Sequence, residues 1–162
     1  MKARDLMSTQ LYVATRDDPV SVAAALMRDK DVGIIPVVDD RSSMRLVGVI
    51  TDRDLAVRCV ARRHDGSCTI SDHMSWSDLV TAQPDEDPAD LMERMEHAKI
   101  RRVPVVEGKR LVGIIAQADI ATKLGPGDPA GVEHLVERIS RAAMIPVPDD
   151  ATATGNHAIP WL

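Results

Sequence analysis

The chain has no phenylalanine at all, and two Trp and one Tyr are its only aromatic residues among 162. A core without aromatic anchors must be assembled from Val, Ile, Leu, Met and Ala. That composition suits β-branched strands packed against aliphatic helices. Cysteine is equally scarce. Cys59 and Cys68 are too few for a disulfide scaffold. A single Cys59–Cys68 bridge stays open as an alternative but is disfavoured in a reducing compartment. Positive charge is in deficit, with a formal net charge of −5. This argues against duplex nucleic acid or an anionic membrane as partner, because such surfaces are held mainly by Lys and Arg. No apolar run approaches the roughly 20 residues needed to span a bilayer. Met1-Lys2-Ala3-Arg4-Asp5 leads into no apolar stretch of the signal-peptide kind. The expectation is a cytoplasmic protein. Catalytic patterns are missing too: there is no Gly-rich phosphate loop, no G-x-S-x-G and no nucleophile beside a base. The chain is not expected to be an enzyme.

What the sequence does contain is a copy of itself. Asp5-Leu6-Met7-Ser8 recurs as Asp72-His73-Met74-Ser75, Ile35-Pro36-Val37-Val38 as Val103-Pro104-Val105-Val106, and Leu46-Val47-Gly48-Val49-Ile50 as Leu111-Val112-Gly113-Ile114-Ile115. The offsets are 67, 68 and 65 residues, the drift expected of one duplicated unit with altered loops. Each copy predicts the same order of elements. A short strand near Leu11–Val13 or Leu79–Thr81 comes first. A helix follows, with Val20, Ala23, Ala24 and Met27 on one face, or Pro88, Leu91, Met92 and Met95. Next come a buried β-branched strand, a polar turn and a second strand. A closing helix spans about 52–63 or 117–124.

The fold class is therefore α/β: two β-α-β-β-α repeats, residues 3–64 and 70–124, packed as a pseudo-twofold pair. Each copy alone is marginal for its size. Residues 125–162 predict a short helix with Val132, Leu135, Val136 and Ile139 on one face, then a loosely ordered tail. Leu55 and Ile120 hold matching places on the closing helices. Both are not expected to face their own cores fully, so homodimerisation through these helices is expected.

These blocks, in this order and twice over, resemble the tandem CBS (cystathionine-β-synthase type) domains. The likeness extends over residues 3–124, and the whole also resembles the small stand-alone bacterial two-CBS proteins, the hypoxic-response type among them. The resemblance implies a regulatory sensor that binds AMP, ATP or a related adenine nucleotide in clefts between the repeats and signals to a protein partner it does not name. A non-catalytic, stress-related interaction protein with vestigial clefts is the alternative.

The resemblance also implies the site residues. Thr51-Asp52-Arg53-Asp54 matches the family's Thr-x-x-Asp, whose carboxylate accepts from the ribose hydroxyls, with a phosphate near the helix N-terminus. The same four residues also form a capping box, with Thr51 as N-cap and Asp54 at N3. In the second repeat Ala116-Gln117-Ala118-Asp119 retains Asp119 but has lost the hydroxyl. Arg102, just before Val103-Pro104, stands where the family places a phosphate-binding base; a solvated strand entry is the other reading. Val13, Ile35, Pro36, Thr81 and Val103 would wall the adenine, or serve simply as core.

Cys59, His64, Cys68 and His73 spell C-x4-H-x3-C-x4-H. Zinc takes four such donors, but four-residue Cys-to-His steps are not a common zinc spacing. Cys59 also falls on a helix that should be packed, where Cys is ordinarily buried. No metal and no resident cofactor are expected.

Overall fold

Two β-hairpins, one from each repeat, organise the protein. In the computed structural model residues 1–124, Glu133 and Glu137 are described. The expected helix of Val132, Leu135, Val136 and Ile139, and the tail, lie outside the described residues. Strand β1 (Ala14–Thr15) runs parallel to β2 (Ile34–Val38), which pairs antiparallel with β3 (Leu46–Thr51). In the second repeat β4 (Arg102–Glu107) pairs antiparallel with β5 (Arg110–Ala116). Both hairpins carry a register shift at the same place, between Val37 and Val38 and between Val105 and Val106. The hairpin ends join each other: Leu46 N–H donates to Lys109 O at 3.0 Å and Leu111 N–H to Met44 O at 2.9 Å.

The first strand of each repeat lies later than its apolar letters suggest. Leu11–Val13 is only half-buried, and pairing begins at Ala14. In the second repeat Leu79–Thr81 forms no strand; Ala82 alone bridges to Val105. Ala14 and Ala82 are fully buried, so the tight spot against the hairpin selects a small residue rather than a large one.

Helix α1 is Ala3–Leu6 and α2 is Val20–Lys30, which buries Val20, Ala23 and Met27 and leaves Ala24 exposed. Helix α3 begins at Asp52–Asp54, continues through a π-helical turn at Leu55–Cys59 and ends in a 3-10 turn at Val60–Arg62. Helix α4, Pro88–Ala98, starts with Asp87 accepting from Ala89 N–H at 2.9 Å and Pro88 in the first turn. It buries Pro88, Leu91 and Met95. Helix α5 is Gln117–Leu124.

The repeats exchange their leading segments. Helix α1 packs into the second repeat, where Ala3 and Leu6 are fully buried with Leu91, Met95, Val105, Ile115 and Ile120. Ser8 and Ile114 donate to each other's carbonyls at 2.8 and 3.0 Å. Reciprocally, Ile70 and Met74 complete the first core with Ala23, Val37, Ile50 and Cys59. Ser75 and Val49 exchange two bonds of 2.9 Å. A glycine receives each segment. A Cβ on Gly48 would stand 2.8 Å from Ser75 O and 2.9 Å from Met74 Sδ, and one on Gly113 would run into the Met7 side chain, 2.8 Å from Cγ. This reciprocity is the pseudo-twofold arrangement expected.

The closing helices differ from expectation in one respect. Ile120 is fully buried in its own core, and Leu55 packs against its own. Exchanged segments fill both cores, which lets these helices face inward. The exposed apolar residues on α3 are Val57 and Val60 instead.

Candidate functional site

Asp54 and Thr51 close a reciprocal cap. Asp54 Oδ2 accepts from Thr51 N–H at 2.9 Å and from the Thr51 hydroxyl at 2.8 Å, while Asp54 N–H donates to Thr51 Oγ1 at 3.2 Å. Asp54 Oδ1 faces Arg58 Nε at 3.4 Å. The other first-turn amides are also closed: Asp52 N–H donates to Gly33 O at 3.3 Å and Arg53 N–H to Asp52 Oδ1 at 2.7 Å. The start of α3 therefore holds no spare donor for a phosphate, contrary to the expectation for this helix. In the second repeat Ala116 N–H donates to Asp119 Oδ2 at 2.7 Å, the same cap without its hydroxyl.

Arg102 lies between the two helix starts. By register it is opposite Ala116, on the Asp119 side. Its guanidinium crosses to the first repeat, where a Cβ on Gly33 would stand 3.0 Å from Arg102 Nη1 and 2.9 Å from Asp52 Oδ2. Only a glycine leaves that approach open. Among the described residues the exposed Arg102 guanidinium has no ion pair and no hydrogen bond. The proposed adenine walls divide. Ile35 and Val103 are fully buried members of the two cores and Pro36 is buried, whereas Val13 and Thr81 are half-buried. Both faces of β2 are covered, so Ile35 has no free side.

A second cluster gathers where the first repeat meets the linker. His64 Nδ1 lies 3.4 Å from His73 Nε2, and one ring nitrogen of each histidine and Cys68 Sγ all fall within 4.8 Å of one another. His64 is exposed, Cys68 half-buried and His73 only 2% exposed. Burial pulls His73 below the usual histidine range, with the neighbouring His64 adding to the effect. Such a ring is neutral near pH 7, the form that ligates metal. Cys59 stays apart: its Sγ faces His64 O at 3.8 Å and Asp65 O at 3.7 Å, and burial pushes its thiol up. The spacing argument against a metal thus fails for three of the four residues. A left-handed Arg63 ends the helix and a turn at Asp65–Cys68 folds the linker back, so distance along the chain says little.

The CBS domain family model matches residues 3–60 and again 70–125. The chain belongs to the CBS-domain family. A CBS domain-containing protein of Bacillus subtilis, YhcV, is 37% identical over 128 residues, 79% of this chain and 89% of that protein. The crystal structure of Hypoxic Response Protein I with two coordinated zinc ions superposes with a TM-score of 0.67 at 31% identity, covering 75% of this chain and 98% of that one. The CBS domain pair of protein MJ0100, in complex with 5′-methylthioadenosine and S-adenosyl-L-methionine, gives a TM-score of 0.69 at 28% identity over 78% of this chain and 97% of that one.

Each CBS repeat also uses a cation that sequence reading passed over. Lys123 Nζ donates to Asp5 O at 3.2 Å and Leu6 O at 2.9 Å. Arg58 Nη1 reaches His73 O at 3.2 Å, Met74 O at 3.4 Å and Ser75 Oγ at 3.3 Å. The two cations stand 65 residues apart, the offset of the last repeated block, so the repeat itself carried the signal.

Proposed function

We propose that this CBS pair is a non-catalytic sensor that binds an adenosine-containing ligand, with AMP or ATP as candidates, between its two repeats. The unpaired Arg102 carries this reading: a cation of one repeat reaches across an open glycine of the other. The amides of α3 are spent, so Arg102 is the group that would hold a phosphate. Asp54 and Asp119 would accept from the ribose through the oxygen not engaged in the cap. The ligands of the MJ0100 pair support the adenosine class. Calorimetry with AMP, ATP, NAD, S-adenosylmethionine and 5′-methylthioadenosine tests it. Arg102→Ala should weaken phosphate-bearing ligands by about one to two decades, since hydrogen bonds to charged groups contribute roughly 1.5–3 kcal/mol at about 1.4 kcal/mol per decade. It should leave 5′-methylthioadenosine unaffected. If none of the five binds, the chain is instead an interaction module with vestigial clefts.

The His64–Cys68–His73 cluster favours a second reading, a zinc ion. Its donor set suits zinc. Two Zn–N bonds of about 2.0–2.1 Å at the tetrahedral angle place their nitrogens roughly 3.3–3.4 Å apart, and the two imidazoles already stand at 3.4 Å. A zinc ion held there would tie the end of α3, the linker and the exchanged segment together. One coordination position remains for water or another donor. Competition of the protein with a chromophoric chelator for Zn²⁺ measures this, and His73→Leu should abolish it. Homodimerisation is proposed through the exposed Val57 and Val60; light scattering that detects only monomer at micromolar concentration would remove it.

A further inference from the structure

Arg58 has partners on both sides. Its Nε faces Asp54 Oδ1, and its Nη1 holds the carbonyls of His73 and Met74 and the Ser75 hydroxyl. One side belongs to the cleft, the other to the segment that carries a candidate metal ligand. We infer that Arg58 couples the two: a metal ion on His64, Cys68 and His73 fixes the exchanged segment, and through Arg58 sets the position of Asp54 and the affinity of the cleft. The inference rests on both readings above.

The argument starts from His73. It occupies the place of Leu6 in the repeat, yet it is buried with an imidazole as its ring partner where Leu6 belongs to a hydrophobic core cluster. The side chain at this position anchors the segment that follows. Met74 lies over Gly48, and Ser75 pairs with Val49 on the strand that ends at Thr51. Holding His73 on a metal therefore holds its own carbonyl, the Arg58 guanidinium bonded to it, and the carboxylate that the guanidinium faces. A cleft whose Asp54 is already held has less ordering left to supply when a ligand arrives, so the coupling is positive. Linkage makes it reciprocal: the ligand must raise metal affinity by the same factor. Lys123 is the internal control. It holds the carbonyls of Asp5 and Leu6 in the other repeat, where Leu6 is the counterpart of His73 but offers no side-chain ligand atom.

The test uses the full chain, first stripped with chelator and then loaded with Zn²⁺ alone. Zn²⁺ should slow amide hydrogen exchange at residues 51–55 in the wild type and in Lys123→Met. Arg58→Met should bind Zn²⁺ yet show no such slowing, and Arg58→Lys should recover part of it. With AMP and 5′-methylthioadenosine as probes, Zn²⁺ should tighten binding by about fivefold to tenfold, within the usual range of such couplings. The factor should fall to one in Arg58→Met. Circular dichroism melting confirms that each variant is folded. Zn²⁺ that binds without altering exchange at 51–55, or alters it equally in Arg58→Met, overturns the inference and leaves both readings standing. No Zn²⁺ binding removes the zinc reading and this inference with it. Zn²⁺ binding without affinity for either probe removes the affinity coupling for these ligands; the cleft reading falls only if ATP, NAD and S-adenosylmethionine also fail to bind.

Discussion

Leu6 and His73 hold matching places in the two repeats, and so do Lys123 and Arg58, Met7 and Met74, Gly113 and Gly48. The second repeat receives its exchanged segment with an apolar side chain and a lysine. The first receives its segment with an imidazole beside a second imidazole and a thiol, and with an arginine that also reaches the cap of α3. The packing problem is the same in both. A fully buried leucine serves packing alone, whereas a buried histidine gains no comparable transfer energy and needs a polar partner. The difference shows that one copy of a duplicated unit can keep an apolar contact where the other places donor atoms.

The comparison breaks most visibly at Leu6. Leu6→Ala should cost about 3 kcal/mol, in the range for large-to-small core changes, read as a lower urea midpoint. His73→Leu, which makes the first site like the second, should leave the metal-free protein as stable or more so. An equal loss from both variants would end the equivalence. The receiving glycines come next. Gly48→Ala meets the Ser75 carbonyl, which accepts from Val49 N–H, and should cost roughly 2–3 kcal/mol; Gly113→Ala meets only a flexible methionine and should cost about 1 kcal/mol. Thermal melting of the two variants side by side decides the order.

The caps sharpen the contrast further. Thr51→Ala should lose about 1 kcal/mol, and Ala116→Thr should recover several tenths of that in the second repeat. The smallest effect is the pH slope of the metal-free protein. His73 is surrounded by His64, Asp72 and Arg62, with Arg58 on its carbonyl, and its pKa is lowered in the fold. Protons therefore bind the unfolded chain first. Stability should be complete above about pH 6.5, the unfolded value, and fall as pH drops through that value toward the folded one. Denaturation at several pH values in chelator should show this slope in the wild type and its loss in His73→Leu.

The duplicated blocks made the hairpins, the two long helices and the closing helices legible, because apolar period and repeat offset reinforce each other. The exchange of segments was not legible. Asp5-Leu6-Met7-Ser8 is written beside the first repeat, and nothing in a local pattern says that Leu6 is buried against Ile120. For the same reason Leu55 and Ile120 were read as surplus apolar surface. The carboxylates Asp54 and Asp119 were found at their helix starts, but the closed amides of α3 depend on Gly33 and Asp52, which only the fold brings together. The three donors His64, Cys68 and His73 are legible as letters, but their convergence is not, since a chain reversal after Arg63 cannot be read from the interval between them.

The crossed segments also bear on how the protein is made. A ribosome delivers the hairpin of the first repeat well before Ile70 and Met74, so that core has no lid until the linker has emerged. In the second core the order is opposite: Ala3 and Leu6 are made early and wait for Leu91, Met95, Ile115 and Ile120. Helix α1, with Ala3 and Leu6 buried, is thus an internal component of the part of the fold most distant in sequence. An affinity tag or a truncation placed there would act on the second repeat rather than the first, and neither repeat expressed alone would possess a complete interior.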